Sequence, residues 1–232
     1  MLPPPLAFNP NARARSFTIG HAGSPVVIID DVLANAGDVA RFGREEAVYT
    51  QPDTLYPGVN ADLSPEFVTP LARALRQVLQ RGYGVPANAP VGCTGYFGLV
   101  TLRPEDLSPD QSIPHVDNIG NRRLAALIYL CDEGQGGTGF YRHRRTGFER
   151  LTQDNIDAYN AARRSEAESE GERAYILGDT ASFERIGGTE ARFNRLVLYH
   201  GNLLHSGQVD PARLSPDPAK GRLTLNIFIG EA

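Results

Sequence analysis

A histidine and a carboxylate two residues apart, with a second histidine far along the chain, could together bind a metal ion. His115 and Asp117 lie in the segment 113–118, Ile-Pro-His-Val-Asp-Asn. On an extended strand, side chains two residues apart point to the same side, so these two would form adjacent corners of a site. His205, in Leu-Leu-His-Ser-Gly, is a candidate third ligand. Two histidines and one carboxylate, with other positions open, form the facial triad of non-haem Fe(II) sites.

The chain has two further histidines whose surroundings bear on this site. His200 ends the predicted strand 195–199 and competes with His205 for the third position. His200 and His205 cannot both occupy the third coordination position of the metal. If both bound, a third imidazole would fill a position that must stay open for other ligands. His143 lies in the basic run 141–145, Tyr-Arg-His-Arg-Arg, on a predicted turn. We interpret that run as a solvated basic turn, and the alternative is a contact with an acidic group of a substrate.

A second group of polar residues lies near the C-terminus, on the alternating segment 221–229. Arg222 and Thr224 are two residues apart and therefore face the same side of the predicted strand, whereas Leu223, Leu225 and Ile227 face the other. A guanidinium beside a hydroxyl is a suitable receptor for a carboxylate, because it offers a charge-assisted pair and one further donor. The alternative is a surface arginine in a salt bridge.

Composition excludes several classes of function. The chain has 232 residues, 41% of them hydrophobic and 22% charged, which suits one soluble domain with a sizeable core. A net charge of −4 gives no electrostatic case for binding nucleic acid.

We expect no signal peptide and no membrane span, and therefore a cytoplasmic protein. Cys93 and Cys131 are expected to be buried, reduced thiols, and a homodimer is the default expectation for the oligomeric state.

The elements that must position these residues divide the predicted single domain, 1–232, into three parts. Residues 1–24 are expected to form an extended arm, and 25–90 a strand with supporting helices over about 35–47 and 65–81. Residues 91–232 are expected to form a β-rich core with a helical insertion at about 153–171, which could instead be a lid. Eight short runs in this core are predicted strands: 94–102, 113–117, 123–131, 138–142, 174–178, 181–186, 195–199 and 222–229. The fold class is thus mainly β, a double-stranded β-helix or jelly roll with the N-terminal helices packed on its outer face.

These motifs together resemble the Fe(II)/2-oxoglutarate-dependent dioxygenase superfamily. The elements that carry the resemblance are the H-x-D motif, a distal histidine, and an arginine with a hydroxyl residue two positions later. The segments 127–130, Leu-Ile-Tyr-Leu, and 136–141, Gly-Gly-Thr-Gly-Phe-Tyr, are similar to its prolyl 4-hydroxylase-like branch. The segments 56–58, 114–118 and 204–207 resemble a bacterial group with no assigned substrate. The sequence departs from the branch at Cys131, where an asparagine is usual, and at 223–224, where an aromatic residue is common.

The resemblance implies a function and a role for each candidate residue. His115, Asp117 and His205 would bind Fe(II), which leaves His200 as a loop residue or an outer hydrogen-bonding group. Arg222 with Thr224 would hold the distal carboxylate of the cosubstrate 2-oxoglutarate, and Tyr129 or a residue near 99–102 would add a hydrogen bond. The implied reaction is hydroxylation of a C–H bond in an amino acid, peptide or small metabolite. Two alternatives stay open: a cupin-type metalloprotein that does not use 2-oxoglutarate, and a non-catalytic binding module of the same fold.

Overall fold

The computed structural model describes residues 2–166 and 173–231, which contain ten β-strands and four α-helices. The strands are β1 (Ala14–Ile19), β2 (Ser24–Ile29), β3 (Gly58–Leu63), β4 (Val91–Val100), β5 (Leu124–Tyr129), β6 (Thr138–His143), β7 (Phe183–Thr189), β8 (Leu196–His200), β9 (His205–Gly207) and β10 (Arg222–Glu231). The helices are α1 (Ala36–Glu45), α2 (Pro65–Ala74), α3 (Arg76–Tyr83) and α4 (Ile156–Glu166). None of the described helices is long and apolar enough to cross a membrane.

The larger of two antiparallel sheets has seven strands in the order β1-β2-β8-β5-β10-β4-β3. Its outer face is covered by α1, α2 and α3, as the sequence predicts. On β10, Leu223, Leu225 and Ile227 belong to the apolar core shared with these helices. Because strand side chains alternate, Thr224 and Asn226 point to the opposite, inner face. The apolar repeat of β10 thus fixes which of its polar residues face inwards.

The smaller sheet, in the order β7-β6-β9, packs against that inner face. Its Phe140 is fully buried in one cluster with Tyr129 and Tyr199 of the larger sheet. Its ring lies edge-on to Tyr199, with 5.1 Å between centroids. Two antiparallel sheets therefore face each other across an apolar layer, and the molecule is mainly β. Cys93 and Cys131 are both buried and free, as predicted.

The N-terminal half differs from the sequence prediction in two strands and one helix. Residues 14–19 belong to β1, the edge strand, and not to a separate arm. Residues 58–63, which belong to none of the predicted strands or helices, form β3 because they pair with β4. The predicted helix 65–81 divides at Leu75, whose backbone (φ −84°, ψ 2°) leaves the helical range. Main-chain hydrogen bonds to and from Leu75 continue on both sides, so the division is a kink.

The β-rich half differs at two predicted strands and at the insertion. Residues 113–117 do not form the predicted strand, and only His115 makes a β-bridge, to His205. The pairing does not continue to Asp117, because the Asp117 amide donates its hydrogen bond to the Gly201 carbonyl instead. Residues 174–178 are irregular; Tyr175 and Ile176 are buried, whereas Leu177 is 49% exposed. The predicted helical insertion contains α4, and its residues 167–171 lie outside the described part of the chain.

A buried carboxylate fixes the turn between β1 and β2 to the smaller sheet. The Glu149 carboxylate accepts hydrogen bonds from the amides of His21 and Ala22, at 2.9 and 3.0 Å. It also pairs with the Arg142 guanidinium at 2.7 Å. Burial alone would raise the pKa of Glu149, but these donors outweigh it and hold that pKa below its usual value. Gly20, at φ +66°, is required here, since a Cβ would collide with the carboxylate.

We expect Glu149→Gln to lower the free energy of unfolding by about 1–3 kcal/mol, because buried charge-assisted hydrogen bonds would be lost. Urea denaturation would measure the change. Glu184→Gln is the matched control, since Glu184 pairs with the same Arg142 but has a side chain 40% exposed, and an exposed pair contributes at most about 1 kcal/mol. Equal losses in the two variants would contradict the anchoring role of Glu149.

Candidate metal centre

His115 and His205 are held side by side by their own main chains. The His115 amide donates to the His205 carbonyl and the His205 amide to the His115 carbonyl, both at 2.9 Å. Directly opposed residues of an antiparallel pair place their side chains on the same side. The two imidazole rings accordingly lie 4.4 Å apart, centroid to centroid. One bridge between two short segments thus brings together histidines that are distant in sequence.

Asp117 completes the group from the same side. Its Oδ1 lies 4.0 Å from His115 Nε2, and its Oδ2 lies 3.5 Å from His205 Nε2. One possible ligand atom from each of the three residues lies within 4.8 Å of the others. The Asp117 amide donates to the Gly201 carbonyl at 2.7 Å, which fixes the carboxylate against the turn after β8. The structure therefore brings together the three predicted metal ligands.

The protonation states of the three residues favour a cation between them. Burial lowers the pKa of His205 to about 4, so its ring is neutral near pH 7. Its Nδ1 lies 2.8 Å from the Leu203 carbonyl and must donate to it, which leaves the Nε2 lone pair facing Asp117. Burial also raises the pKa of Asp117 to about 6. The buried Asp117 Oδ2 has no hydrogen-bond partner among the described residues, an arrangement that is costly unless a cation is present.

His200 faces away from this group. It is the last residue of β8, directly after Tyr199, and adjacent strand residues point to opposite faces. Tyr199 stacks edge-on to His205, with 4.8 Å between ring centroids. His200 instead packs against Tyr83 on the helical side of the sheet. Strand alternation turns His200 away from Tyr199, and the packing of His205 on Tyr199 then places the two competing histidines on opposite faces of the sheet.

The prediction of a solvated basic turn is wrong for His143, the last residue of β6, but correct for Arg144 and Arg145, which are exposed on the turn 144–146. His143 is fully buried, and its ring nitrogens lie 2.8 Å from the Thr146 hydroxyl and 2.9 Å from a Glu166 carboxylate oxygen. Arg142 pairs with Glu149 and Arg144 pairs with Asp179. Carboxylates thus neutralise Arg142 and Arg144, and no residue of the basic run lines the cavity at the three ligands.

That cavity has a volume of about 400 Å³ and lies between the two sheets. His115, Asp117 and His205 form part of its wall. Most of the remaining surface is aromatic or aliphatic, and the residues concerned include Tyr96, Val100, Val116, Leu127, Tyr175, Tyr199, Val209 and Phe228. An apolar chamber with a few convergent polar groups is typical of a small-molecule site.

Arg222 lies at one end of this cavity. Its residue is 4% exposed, and its guanidinium donates to the carbonyls of Gly136 and Gly137, at 3.2 and 2.9 Å. The guanidinium carbon lies 3.7 Å from the position that a Cβ would take on Gly207, two residues beyond His205. Arg222 forms no salt bridge with any described residue, so the predicted alternative of a surface ion pair is wrong. Its charge faces the cavity, close to the candidate ligands.

Thr224 and Tyr129, the other predicted cosubstrate residues, are fully buried beside Arg222. The Thr224 hydroxyl accepts from the Asn226 amide at 2.9 Å. The Tyr129 hydroxyl shares a 2.8 Å hydrogen bond with Thr138, and its ring lies 5.6 Å from the Arg222 guanidinium carbon. Neither residue belongs to the cavity wall. Both hydroxyls already have partners in this structure.

Tyr56 is a candidate residue that the sequence analysis placed only within a turn motif. Its hydroxyl is buried in the cavity wall and, although Thr224 is close, has no partner of ordinary hydrogen-bond geometry among the described residues. Burial raises the pKa of Tyr56 to about 12, against the opposing charge of Arg222, so the hydroxyl keeps its proton and can donate. No local pattern identifies this role, because it depends on how the loop before β3 folds over β4.

Comparison with known sequences gives one family match. A family model described as "Family of unknown function (DUF6445)" matches residues 10–229 of the chain. A comparison with curated proteins gives no significant match.

Comparison with solved structures identifies similar folds at low sequence identity. EvdO2 from Micromonospora carbonacea var. aurantiaca is 13% identical over 94% of this chain and 93% of its own, with a TM-score of 0.51. HygX from Streptomyces hygroscopicus, with nickel and 2-oxoglutarate bound, is 16% identical over 90% of this chain and 84% of its own, with a TM-score of 0.48. HygX has also been crystallised with iron, and with nickel, 2-oxoglutarate and hygromycin B. The likeness to EvdO2 shows a shared fold.

Proposed function

The chain belongs to the family of unknown function DUF6445, and from the chemistry of its own site we propose that it is a non-haem Fe(II)- and 2-oxoglutarate-dependent oxygenase. The observation that carries the proposal is the group of His115, Asp117 and His205, whose ligand atoms lie within 4.8 Å of one another on the wall of a cavity. Two imidazoles and one carboxylate are the ligand set of non-haem Fe(II) oxygenases.

The donor atoms of the site fit a divalent cation. The Asp117 Oδ2 atom is buried without a hydrogen bond among the described residues, and the Nε2 lone pair of His205 is directed towards it. A bound cation would supply the missing partner of the carboxylate and would also accept both imidazole lone pairs. The accessible part of the His115 side chain, 41%, lies at the cavity. A metal held here would therefore face the chamber and could accept further ligands.

The charge and hydrogen-bond donors at the Arg222 end suit the distal carboxylate of 2-oxoglutarate. Arg222 supplies a buried positive charge that no described carboxylate neutralises, and Tyr56 supplies a buried hydroxyl without a partner. A carboxylate between them would satisfy both groups. Thr224 and Tyr129 stay predicted members of this subsite, and their hydroxyls would have to exchange existing hydrogen bonds to contact the cosubstrate.

Each part of the chain then has a defined task in the reaction. When bound, Fe(II) and 2-oxoglutarate supply the oxidising chemistry that converts a C–H bond to C–OH with dioxygen. The three ligand side chains hold the metal at the wall, and Arg222 with Tyr56 orients the cosubstrate. The apolar surface around Leu127 and Phe228 excludes water and orients the target carbon.

The finer assignments are also part of this proposal. The two facing sheets are proposed to be a double-stranded β-helix, and the prolyl 4-hydroxylase-like branch is the branch that the sequence motifs favour. The proposed substrate is an amino acid, a peptide or a small metabolite, and the proposed reaction is hydroxylation. A cytoplasmic location and a homodimer stay predictions from the sequence.

Anaerobic optical spectroscopy would test the proposal directly. We expect Fe(II) and 2-oxoglutarate, added together to the protein, to give the weak visible charge-transfer band of the chelate, and His115→Ala to lose it. Metal binding without the band would instead favour a cupin-type metalloprotein that does not use 2-oxoglutarate. A well-folded protein that binds neither would favour the non-catalytic binding module.

We expect Tyr56→Phe to weaken 2-oxoglutarate binding by about tenfold or more, because one hydrogen bond to a charged group is worth about 1.5–3 kcal/mol. Titration of the chelate band with 2-oxoglutarate would measure the change. Tyr49→Phe is the matched control, since Tyr49 is also partly buried but donates to the Gly43 carbonyl outside the cavity. A Tyr56 variant with unchanged affinity would remove this hydroxyl from the subsite.

A further inference from the structure

The cavity at the metal ligands meets a second cavity at Arg123 and Phe228. The second cavity has a volume of about 850 Å³ and is lined mainly by the segment 118–123, by β4 residues and by the end of β10. Arg123 and Phe228 line both cavities. These two side chains therefore lie where the two cavities adjoin.

Arg123 is held in a fixed position without an ion pair. Its Nη2 donates to the Thr94 hydroxyl at 2.9 Å, and its guanidinium carbon lies 4.9 Å from the centre of the Phe228 ring. No carboxylate among the described residues forms a salt bridge with it. The Nε and Nη1 atoms of Arg123 have no hydrogen-bond partner among the described residues. A rigid guanidinium with free donors suits a planar or tetrahedral oxyanion.

Strand register places Arg123 at the opposite end from Arg222. Arg222 and Phe228 both point inwards from β10 and are separated by about 20 Å of strand. Phe228 pairs with Ala125 of β5, and Ala125 pairs with Tyr199, whose ring contacts His205. The candidate metal ligands therefore lie between two cationic ends. The Arg222 end suits the cosubstrate carboxylate, and the Arg123 end is then free for a different anion.

We infer that Arg123 binds an anionic group, a carboxylate or a phosphate ester, of the primary substrate and so orients the target carbon towards the metal ligands. The inference rests on the proposed function and adds the class of substrate. The cavity wall near Arg123 is apolar at Ala125 and Phe228, which pair with each other across β5 and β10. The substrate is thus a small molecule or peptide with an apolar body and an acidic group at one end.

A second role for Arg123 must be separated from this one. Its charge also acts on Asp117, so its loss could change metal affinity without any contact with substrate. Binding of matched acidic and neutral probes distinguishes the two roles, because only a direct contact makes the difference between the probes depend on Arg123.

Isothermal titration calorimetry on the full chain, loaded with Zn(II) and saturated with 2-oxoglutarate to occupy the Arg222 end, would test the inference. The probes are 3-phenylpropionate, 2-phenylethyl phosphate and the neutral 3-phenylpropionamide. We expect at least one acidic probe to bind at least about tenfold more tightly than the amide, the effect of a charge-assisted hydrogen bond. Arg123→Gln should abolish that preference and leave amide binding unchanged, and Arg123→Lys should keep part of it.

Arg122→Gln is the matched control, since Arg122 is adjacent in sequence and lines the second cavity but not the cavity at the metal ligands. It should keep the preference for the acidic probe. Equal binding of acid and amide by the wild-type protein, no binding of either acid, or equal losses in the two glutamine variants would overturn the inference. An absent acid–amide preference in the wild type overturns the inference even if Arg123→Gln fails to fold, and Arg123→Lys then carries the positive test. If the Fe(II)–2-oxoglutarate charge-transfer band forms but binding of the acidic probe does not depend on Arg123, only the inference about Arg123 is refuted. If the Arg123-dependent preference for the acidic probe is seen without the band, only the proposed function is refuted.

Discussion

His205→Ala is expected to lower the affinity for Fe(II), or for Co(II) as a stable substitute, by more than about 100-fold. Loss of a group that only supports a ligand already costs about 10- to 100-fold, and His205 is expected to bind the metal itself. Its Nε2 faces Asp117 Oδ2 at 3.5 Å, and its Nδ1 is fixed by the Leu203 carbonyl. Anaerobic titration followed by Co(II) absorption would measure the affinity.

His200→Ala is the matched control for this prediction. His200 lies five residues earlier, is also largely buried, and packs on Tyr83 at the other face of the sheet. We expect its loss to leave metal affinity unchanged within a factor of two or so, although packing on the helical side would weaken. A large loss of metal affinity in His200→Ala, with His205→Ala unaffected, would contradict the proposed ligand set.

Arg222→Ala is expected to reduce 2-oxoglutarate affinity by more than about 100-fold while Co(II) affinity stays within a few-fold of the wild type. The variant removes a buried charge and its hydrogen bonds to a carboxylate, each worth about 1.5–3 kcal/mol. Arg222→Lys should recover only part of the loss, since an ammonium cannot form the bidentate pair. Titration of the chelate band with 2-oxoglutarate would measure both variants.

Arg44→Ala is the control for the effect of losing an arginine that donates to a backbone carbonyl, without any contact with the cosubstrate. Like Arg222, Arg44 donates to a backbone carbonyl, that of Leu130 at 2.9 Å, but it lies on α1 outside the cavity. We expect unchanged 2-oxoglutarate affinity in this variant. If Arg222→Ala bound 2-oxoglutarate normally, the oxygenase proposal would lose its cosubstrate site, and the cupin-type or non-catalytic alternative would replace it.

Local sequence patterns were sufficient for the residues that depend on a single element. The period-two alternation of β10 correctly separates Arg222 and Thr224 from the leucines of the core. The Ser-Pro start of α2 and the glycine after α3 mark the ends of a helical region, although its kink at Leu75 was not predicted. Such features depend on backbone geometry over a few residues, which the chain carries in its own sequence.

The roles of Tyr56, His143 and Arg123 could not be predicted in this way. His143 looks solvated within its basic run, and only the approach of α4 buries it against Glu166. Tyr56 gains its significance from a loop that folds over β4, and Arg123 from its place between two cavities. Each of these environments is made by segments distant in the sequence, so no local pattern contains it.

The amino-acid sequence by itself determined the chemical character of the site: two histidines and a carboxylate, an inward-facing arginine, and a mainly β chain with helices on one side. The tertiary structure decided which of these groups meet. It paired His115 with His205 through a reciprocal main-chain bridge and turned His200 to the opposite face. The physical reason is that side-chain alternation is a local property of a strand, whereas the register between distant strands is set by the packing of the whole core.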